Sequence, residues 1–118
     1  GWGRIVNFAS LQTTRVFPGG IAYGASKGSV VQLTRAMAEA CSKNGINVNA
    51  IGPGFLSTEL TKAVFEDPER SARNAKQTCI VRNGNLEDLD DTLLFLCSEA
   101  SRYVTGQVLM LNEGFSAK

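Results

Sequence analysis

Tyr23 and Lys27 lie four residues apart in Ala22-Tyr23-Gly24-Ala25-Ser26-Lys27, and Ser10 stands upstream at the end of an apolar run. Four residues are about one helical turn, so a helix here puts a phenol and an ammonium on one face. A cation beside a phenol favours its ionised form. A serine hydroxyl arriving from a neighbouring strand end can hold a carbonyl oxygen next to that phenol. Together the three side chains describe a site that moves a proton to or from a carbonyl or alcohol oxygen.

Positioning them requires particular elements. Arg4 to Ala9 is rich in β-formers and reads as a buried strand ending at Ser10. Leu11 to Gly20 is a loop with Pro18-Gly19-Gly20 as its turn. A long helix follows from Ile21 to Ser42, with Val30, Leu33, Met37 and Cys41 at helical spacing and Val31, Thr34 and Ala38 beside them. Tyr23 then sits in its first turn, near the positive dipole end, which also favours a phenolate. Lys43-Asn44-Gly45 ends this helix.

Ile46 to Ile51 is a second strand, in which Ile46, Val48 and Ala50 alternate with Asn47 and Asn49, and Gly52-Pro53-Gly54 stops it. Ser57 or Thr58 caps a short helix through Val64, and Asp67-Pro68-Glu69 opens a polar helix to Lys76. Asn85 caps a helix from Leu86 to Ser98 with Leu86, Leu89, Leu93 and Leu96 as its apolar stripe. Val108 to Leu111 is a third strand. This order implies parallel strands joined by right-handed crossovers, with an open edge on the first strand.

Composition narrows the chemistry. At 118 residues the chain is at most one small domain, with 43% hydrophobic and 19% charged residues. The net charge of +1, with both signs interspersed, suggests neither nucleic acid nor an anionic membrane as partner. No apolar run is long enough to span a bilayer. The sequence contains no His, which removes Ser-His-Asp and Cys-His triads and the commonest zinc ligand; no metal site is expected. Cys41, Cys79 and Cys97 lack paired spacing and read as buried free thiols in a reducing cytoplasm. A chain opening on Gly1 directly into a strand reads as a fragment or processed product.

The joint pattern resembles the C-terminal half of a short-chain dehydrogenase/reductase. It is carried by Gly3-Arg4-Ile5-Val6-Asn7 leading to Ser10, Tyr23-Gly24-Ala25-Ser26-Lys27, Asn49-Ala50-Ile51-Gly52-Pro53-Gly54 with Thr58, and Tyr103-Val104-Thr105-Gly106-Gln107. These motifs span essentially the whole chain, and their joint spacing is specific. The resemblance implies an α/β fold: the C-terminal part of a doubly wound parallel, Rossmann-type sheet with about three strands and flanking helices. It implies hydride transfer between NAD or NADP and an alcohol or carbonyl substrate. Tyr23 would be the general acid/base. Lys27 would support it and bind the nicotinamide ribose, and Ser10 would orient the substrate oxygen. Pro53, Gly54 and the Leu56 backbone would flank the nicotinamide, with Thr58 reaching its carboxamide or the phosphates. A homotetramer is implied as well.

Other family features are not in these residues: the glycine-rich pyrophosphate turn, the Asn-Asn-Ala-Gly turn, the helix bearing the catalytic Asn, and the residue that selects the dinucleotide. The resemblance therefore implies that residues 1–118 are a catalytic half without its nucleotide-binding half, and inactive alone. The alternative is a catalytically silent module that only self-associates. Gly20, Gly24 and Gly28 read as tight helix packing rather than a phosphate turn. Leu111-Asn112-Glu113-Gly114 departs from the family's usual Val-Asp-Gly-Gly.

Gly52-Pro53-Gly54-Phe55 and Ala22-Tyr23-Gly24 are similar to sugar-acid members, the gluconate 5-dehydrogenases. The Gln12–Phe17 loop and the Ser57–Thr78 segment should shape substrate choice. Glu66 to Lys76 reads as solvated surface, with a mobile lid as the alternative. Arg15, Arg73, Lys76 and Arg82 could each meet a carboxylate or simply be solvated.

Overall fold

The computed structural model describes residues 1–118. The chain runs β1 (Gly3–Phe8), α1 (Ile21–Cys41), β2 (Ile46–Pro53), α2 (Lys62–Phe65), α3 (Pro68–Gln77), α4 (Asp90–Leu96) and β3 (Val108–Leu111). The strands form one parallel sheet in the order β1-β2-β3, with Phe8 opposite Ile51 and Ile51 opposite Leu109. The expected α/β architecture of three parallel strands with flanking helices is therefore present, and β1 is an edge strand. No helix is long and apolar enough to cross a membrane.

Successive residues of each strand face opposite sides of the sheet. On one side Val6, Leu109 and Leu111 pack around Ile51, Leu56, Leu89 and Leu96, the buried cluster under α4. On the other side Asn7 Nδ2 donates to Thr34 Oγ1 of α1 at 3.0 Å. Covering both faces is what a parallel sheet requires.

The packing face of α1 differs from the expected stripe. Thr34 and Ala38 are buried, whereas Leu33 is 52% exposed. Small residues face the sheet because the helix lies close to it; the position of a Cβ on Gly106 would be 3.5 Å from Ala38 Cβ. The Thr34 hydroxyl is satisfied at both ends, accepting from Asn7 and donating to Val30 O at 2.7 Å. A 3-10 turn over Ser42–Asn44 follows the helix and ends where Gly45 takes a left-handed φ of 80°.

The polar–apolar alternation of β2 does not mark a solvated face. Asn47 and Asn49 are both buried. Asn47 Nδ2 donates to Ser101 O and Arg102 O at 3.2 and 3.0 Å, and Asn49 Nδ2 donates to Val104 O at 2.9 Å. Asn49 Oδ1 accepts from Gln107 N at 3.1 Å. The two amides latch the segment after α4 onto the sheet, which satisfies backbone groups that would otherwise be buried without partners.

Two further expectations are corrected. The helix expected from Leu86 begins as a 3-10 turn over Leu86–Leu89, and Leu86 is 53% exposed, so the stripe starts at Leu89. The thiols are free, but Cys79 and Cys97 are exposed and Cys41 is only partly buried. Cys97 follows the last residue of α4 on its solvent side, and Cys79 lies in the loop after α3, so neither belongs to a packing face.

The start of the last helical segment is held by charge. Asp88 accepts two bonds from the Arg82 guanidinium, at 2.7 and 2.8 Å, and one from Asn85 N at 2.8 Å. The Arg82 hydrogen bonds lead in holding the Asp88 carboxyl down at about 2, with the Asn85 amide adding to them. A carboxylate whose pKa is lowered on folding adds stability above its unfolded value, and that stability is lost as pH falls through the folded value. Asp88→Asn is therefore expected to unfold at lower urea than wild type at neutral pH. The gap should close as pH drops from 3.8 towards about 2, as read from urea midpoints.

Candidate active site

Because the strands are parallel, β1 and β2 end on the same side of the sheet, and the chain after each contributes to one site. Ala9 N donates to Ile51 O at 2.7 Å and ties the two strand ends together. Ser10 follows in extended conformation, buried, and caps the turn over Leu11–Thr13. Its Oγ accepts from Gln12 N at 3.1 Å. An accepting hydroxyl still has its own hydrogen to donate, so Ser10 is oriented yet free to bond a ligand oxygen.

Tyr23 occupies the first turn of α1 and is 41% exposed. Its carbonyl accepts from Ser26 Oγ at 2.7 Å, while its phenol hydroxyl bonds to no group of the chain. Lys27, one turn on, places Nζ 5.8 Å from the Tyr23 ring centroid and donates to Phe8 O at 2.9 Å. The ammonium is thus pinned between the helix and the end of β1, with two further N–H donors. Gly20 and Gly24 sit beside the Gln12 side chain and backbone, letting the loop lie against the helix start, while a Cβ on Gly28 would meet open space.

Ser10, Tyr23 and Gly54 wall one pocket of about 310 Å³, together with Gln12, Phe17, Phe55 and Thr61 among others. Lys27 stands outside this wall, tethered to Phe8. Pro53 is the last residue of β2 and also lies off the wall. Leu56 turns its side chain into the core, and its carbonyl accepts from the Thr61 hydroxyl. Thr58 is drawn into a capping box with Thr61, whose Oγ1 accepts from Thr58 N at 3.0 Å. Thr61, rather than Thr58, reaches the pocket. The Gln12–Phe17 loop and the Ser57–Thr78 segment do border the site. What sequence reasoning missed is the aromatic cluster behind it, where Phe17, Phe55 and Phe115 have centroids 5.6 to 6.0 Å apart. Those rings come from distant segments, and no local periodicity marks them.

The C-terminal turn closes against Gly54. A Cβ there would stand 2.8 Å from Asn112 Cα and 2.9 Å from Glu113 Oε2, and Gly54 N donates to Leu111 O at 2.9 Å. Gly54→Ala is expected to push this turn outward and cost about 1–3 kcal/mol, read as a lower urea midpoint. Glu113 holds a positive φ of 52°, and its buried Oε2 has no hydrogen-bond partner. Burial raises its carboxyl pKa, opposed by the Arg82 charge. The sign is opposite to that of Asp88: Glu113 favours the folded state at low pH and loses that contribution as pH rises through its raised value.

The chain is thus an α/β protein with a serine, a phenol and a cation gathered at the ends of its parallel strands, where open α/β sheets place their ligands. The family model described as enoyl-(acyl carrier protein) reductase, one of the short-chain dehydrogenase/reductase models, matches residues 1–116. The chain belongs to the short-chain dehydrogenase/reductase family.

Among its relatives, gluconate 5-dehydrogenase of Gluconobacter oxydans (strain 621H) is 39% identical over 116 residues, covering 98% of this chain and 45% of that protein. The 2-dehydro-3-deoxy-D-gluconate 5-dehydrogenase of Bacillus subtilis (strain 168) is 40% identical over 121 residues, covering 100% of this chain and 46% of the relative. A crystal structure of a gluconate 5-dehydrogenase from Burkholderia cenocepacia J2315, in complex with NADP and tartrate, superposes with a TM-score of 0.96 at 34% identity. It covers 99% of this chain and 46% of that one. The chain spans about half the length of the curated relatives it matches.

Proposed function

We propose that residues 1–118 carry the proton-transfer half of an NAD- or NADP-dependent oxidoreductase that interconverts an alcohol and a carbonyl, with a sugar acid or polyol as substrate. The observation that carries this reading is the single pocket walled by Ser10, Tyr23 and Gly54 at the ends of two parallel strands. The substrate class follows the gluconate enzymes to which the chain is similar.

The residues present fit the nicotinamide end of a dinucleotide. Leu56 is only 6% exposed, and its N–H donates to no group of the chain, as suits a carboxamide acceptor. Lys27 has N–H donors left for ribose hydroxyls. Tyr23, Lys27, Pro53, Gly54 and the Leu56 backbone would hold that end, which NAD and NADP share, while the Thr58 hydroxyl is taken up by its capping box. When bound, the nicotinamide supplies or accepts the hydride.

The chain's own residues move the proton. In reduction Tyr23 gives its hydroxyl proton to the carbonyl oxygen, and in oxidation it takes that proton back. Ser10 donates its free O–H to the same oxygen and fixes its position. The Lys27 ammonium keeps positive charge beside the ring while negative charge develops on the phenol oxygen. Exposed Ile21 and Leu33 on α1 support a homo-oligomer, a tetramer on the family pattern. The test compares hydride transfer by the complete protein and its Tyr23→Phe variant; wild-type turnover in the variant overturns the reading.

A second reading makes the 118 residues alone catalytically silent and merely self-associating. It is favoured by β1, which pairs on one side only and leaves Trp2 and Phe8 exposed. Titrating NADH or NADPH into the 118-residue chain separates the two. Weak or absent binding supports silence, and strong binding counts against it.

A further inference from the structure

Beside the Ser10–Tyr23 pocket lies a second cavity of about 470 Å³, and the two share Gln12, Phe17 and Phe55 as a common wall. Its far side is one face of α3, where Arg70, Arg73, Asn74 and Gln77 follow the i, i+3, i+4, i+7 spacing. Two guanidinium-bearing residues and no carboxylate line it. Neither arginine is in an ion pair. The chain's salt bridges are Arg4 with Glu99, Lys62 with Glu66 and Arg82 with Asp88. Neither guanidinium donates to the chain, in contrast to Arg15, which reaches Phe115 O and Lys118 O, and Arg82, which holds Asp88. Glu69, next to Arg70 and one turn before Arg73, is in no ion pair and does not line the cavity, and Asp67 is occupied in capping Glu69 N and Arg70 N.

A cavity with two unneutralised cations beside a proton-transfer pocket attracts an anionic group, and a guanidinium fork matches a carboxylate. We propose that Arg70 and Arg73 form a carboxylate subsite that seats the acid end of a hydroxy-acid substrate while its reacting hydroxyl or carbonyl carbon lies at Ser10 and Tyr23. The subsite rests on the dehydrogenase reading and deepens it. It makes this substrate an acid rather than a neutral polyol. Phe17 and Phe55, packed edge to face at 5.6 Å, form the apolar divider over which the carbon chain passes.

The test is isothermal titration of the complete protein with gluconate and with glucitol, which has the same carbon skeleton but no charge. Wild type is expected to bind gluconate more tightly and to lose that preference as salt rises. Arg73→Gln and Arg70→Gln should each weaken gluconate about 10- to 100-fold and leave glucitol unchanged. Arg73→Lys should restore part of the loss, because charge survives but the fork does not. Equal affinity for both ligands in wild type, no measurable gluconate binding, or gluconate affinity unchanged in the double Gln variant overturns the subsite. Both arginines are exposed on a surface helix, so the variants fold. Binding requires no hydride transfer, so Tyr23→Phe should retain the gluconate preference. Failure of the dehydrogenase reading would instead show as turnover surviving in Tyr23→Phe.

Discussion

Replacing Tyr23 with Phe is expected to lower kcat of the complete protein about 10²- to 10⁴-fold, the range that a positioned general acid/base contributes. Because the lost interaction forms only as the proton moves, kcat and kcat/KM should fall together. The substitution removes one oxygen that bonds to no group of the chain and keeps the ring above Lys27. The change in stability should stay within about 0.5 kcal/mol, the usual range for an exposed site. Thermal unfolding of the variant checks this, and it separates lost chemistry from lost folding. Tyr103 is 100% exposed and off the pocket wall, so Tyr103→Phe is the matched control and should leave turnover unchanged. A stable Tyr23→Phe protein with wild-type kcat would assign the proton to another group.

Ile51→Ala is expected to cost about 2–5 kcal/mol of folding stability. Ile51 is fully buried on the central strand, between the β1 and β3 partners Phe8 and Leu109 and beneath Leu89 and Leu96. Truncation leaves a cavity that the hydrogen-bonded strand cannot collapse into, and the loss is large against a typical total of about 5–15 kcal/mol. Urea unfolding measures it. Leu33→Ala removes a side chain that the same strand pattern never touches, and it should cost far less in a monomer. If Leu33→Ala instead destabilises in proportion to protein dilution, α1 is an interface between copies, in line with the proposed oligomer.

The local elements were legible because their determinants are local. Parallel strand order followed from strand–helix alternation, and the Tyr23–Lys27 pairing followed from helical spacing. Gly45 and Gly54 marked real chain reversals and close approaches. The faces those elements bury were less legible. Leu33 outranks Thr34 in hydrophobicity, yet Thr34 is buried because Asn7 from β1 satisfies its hydroxyl. The alternation of Asn47 and Asn49 with apolar residues did not say which partners they meet; the carbonyls of Ser101, Arg102 and Val104 supply them from across the chain. Leu86 fitted a helical stripe but opens the 3-10 turn at the exposed edge of the fold, so the buried stripe starts at Leu89.

Within the site the same division holds. Residue type and spacing alone named Ser10, Tyr23 and Lys27, because the chemistry needs a phenol, a cation one turn away and a hydroxyl at a strand end. The family likeness rests on that order of motifs. Only the tertiary structure decided that Gly54 and Thr61 share a pocket with Ser10 and Tyr23, while Lys27 stands outside it and Thr58 caps a turn. It alone separated Arg70 and Arg73, which face a cavity, from Arg15 and Arg82, which the chain already uses. Spacing along a chain reports neighbours within a turn or a strand; which charges stay unpaired depends on contacts between residues far apart in sequence.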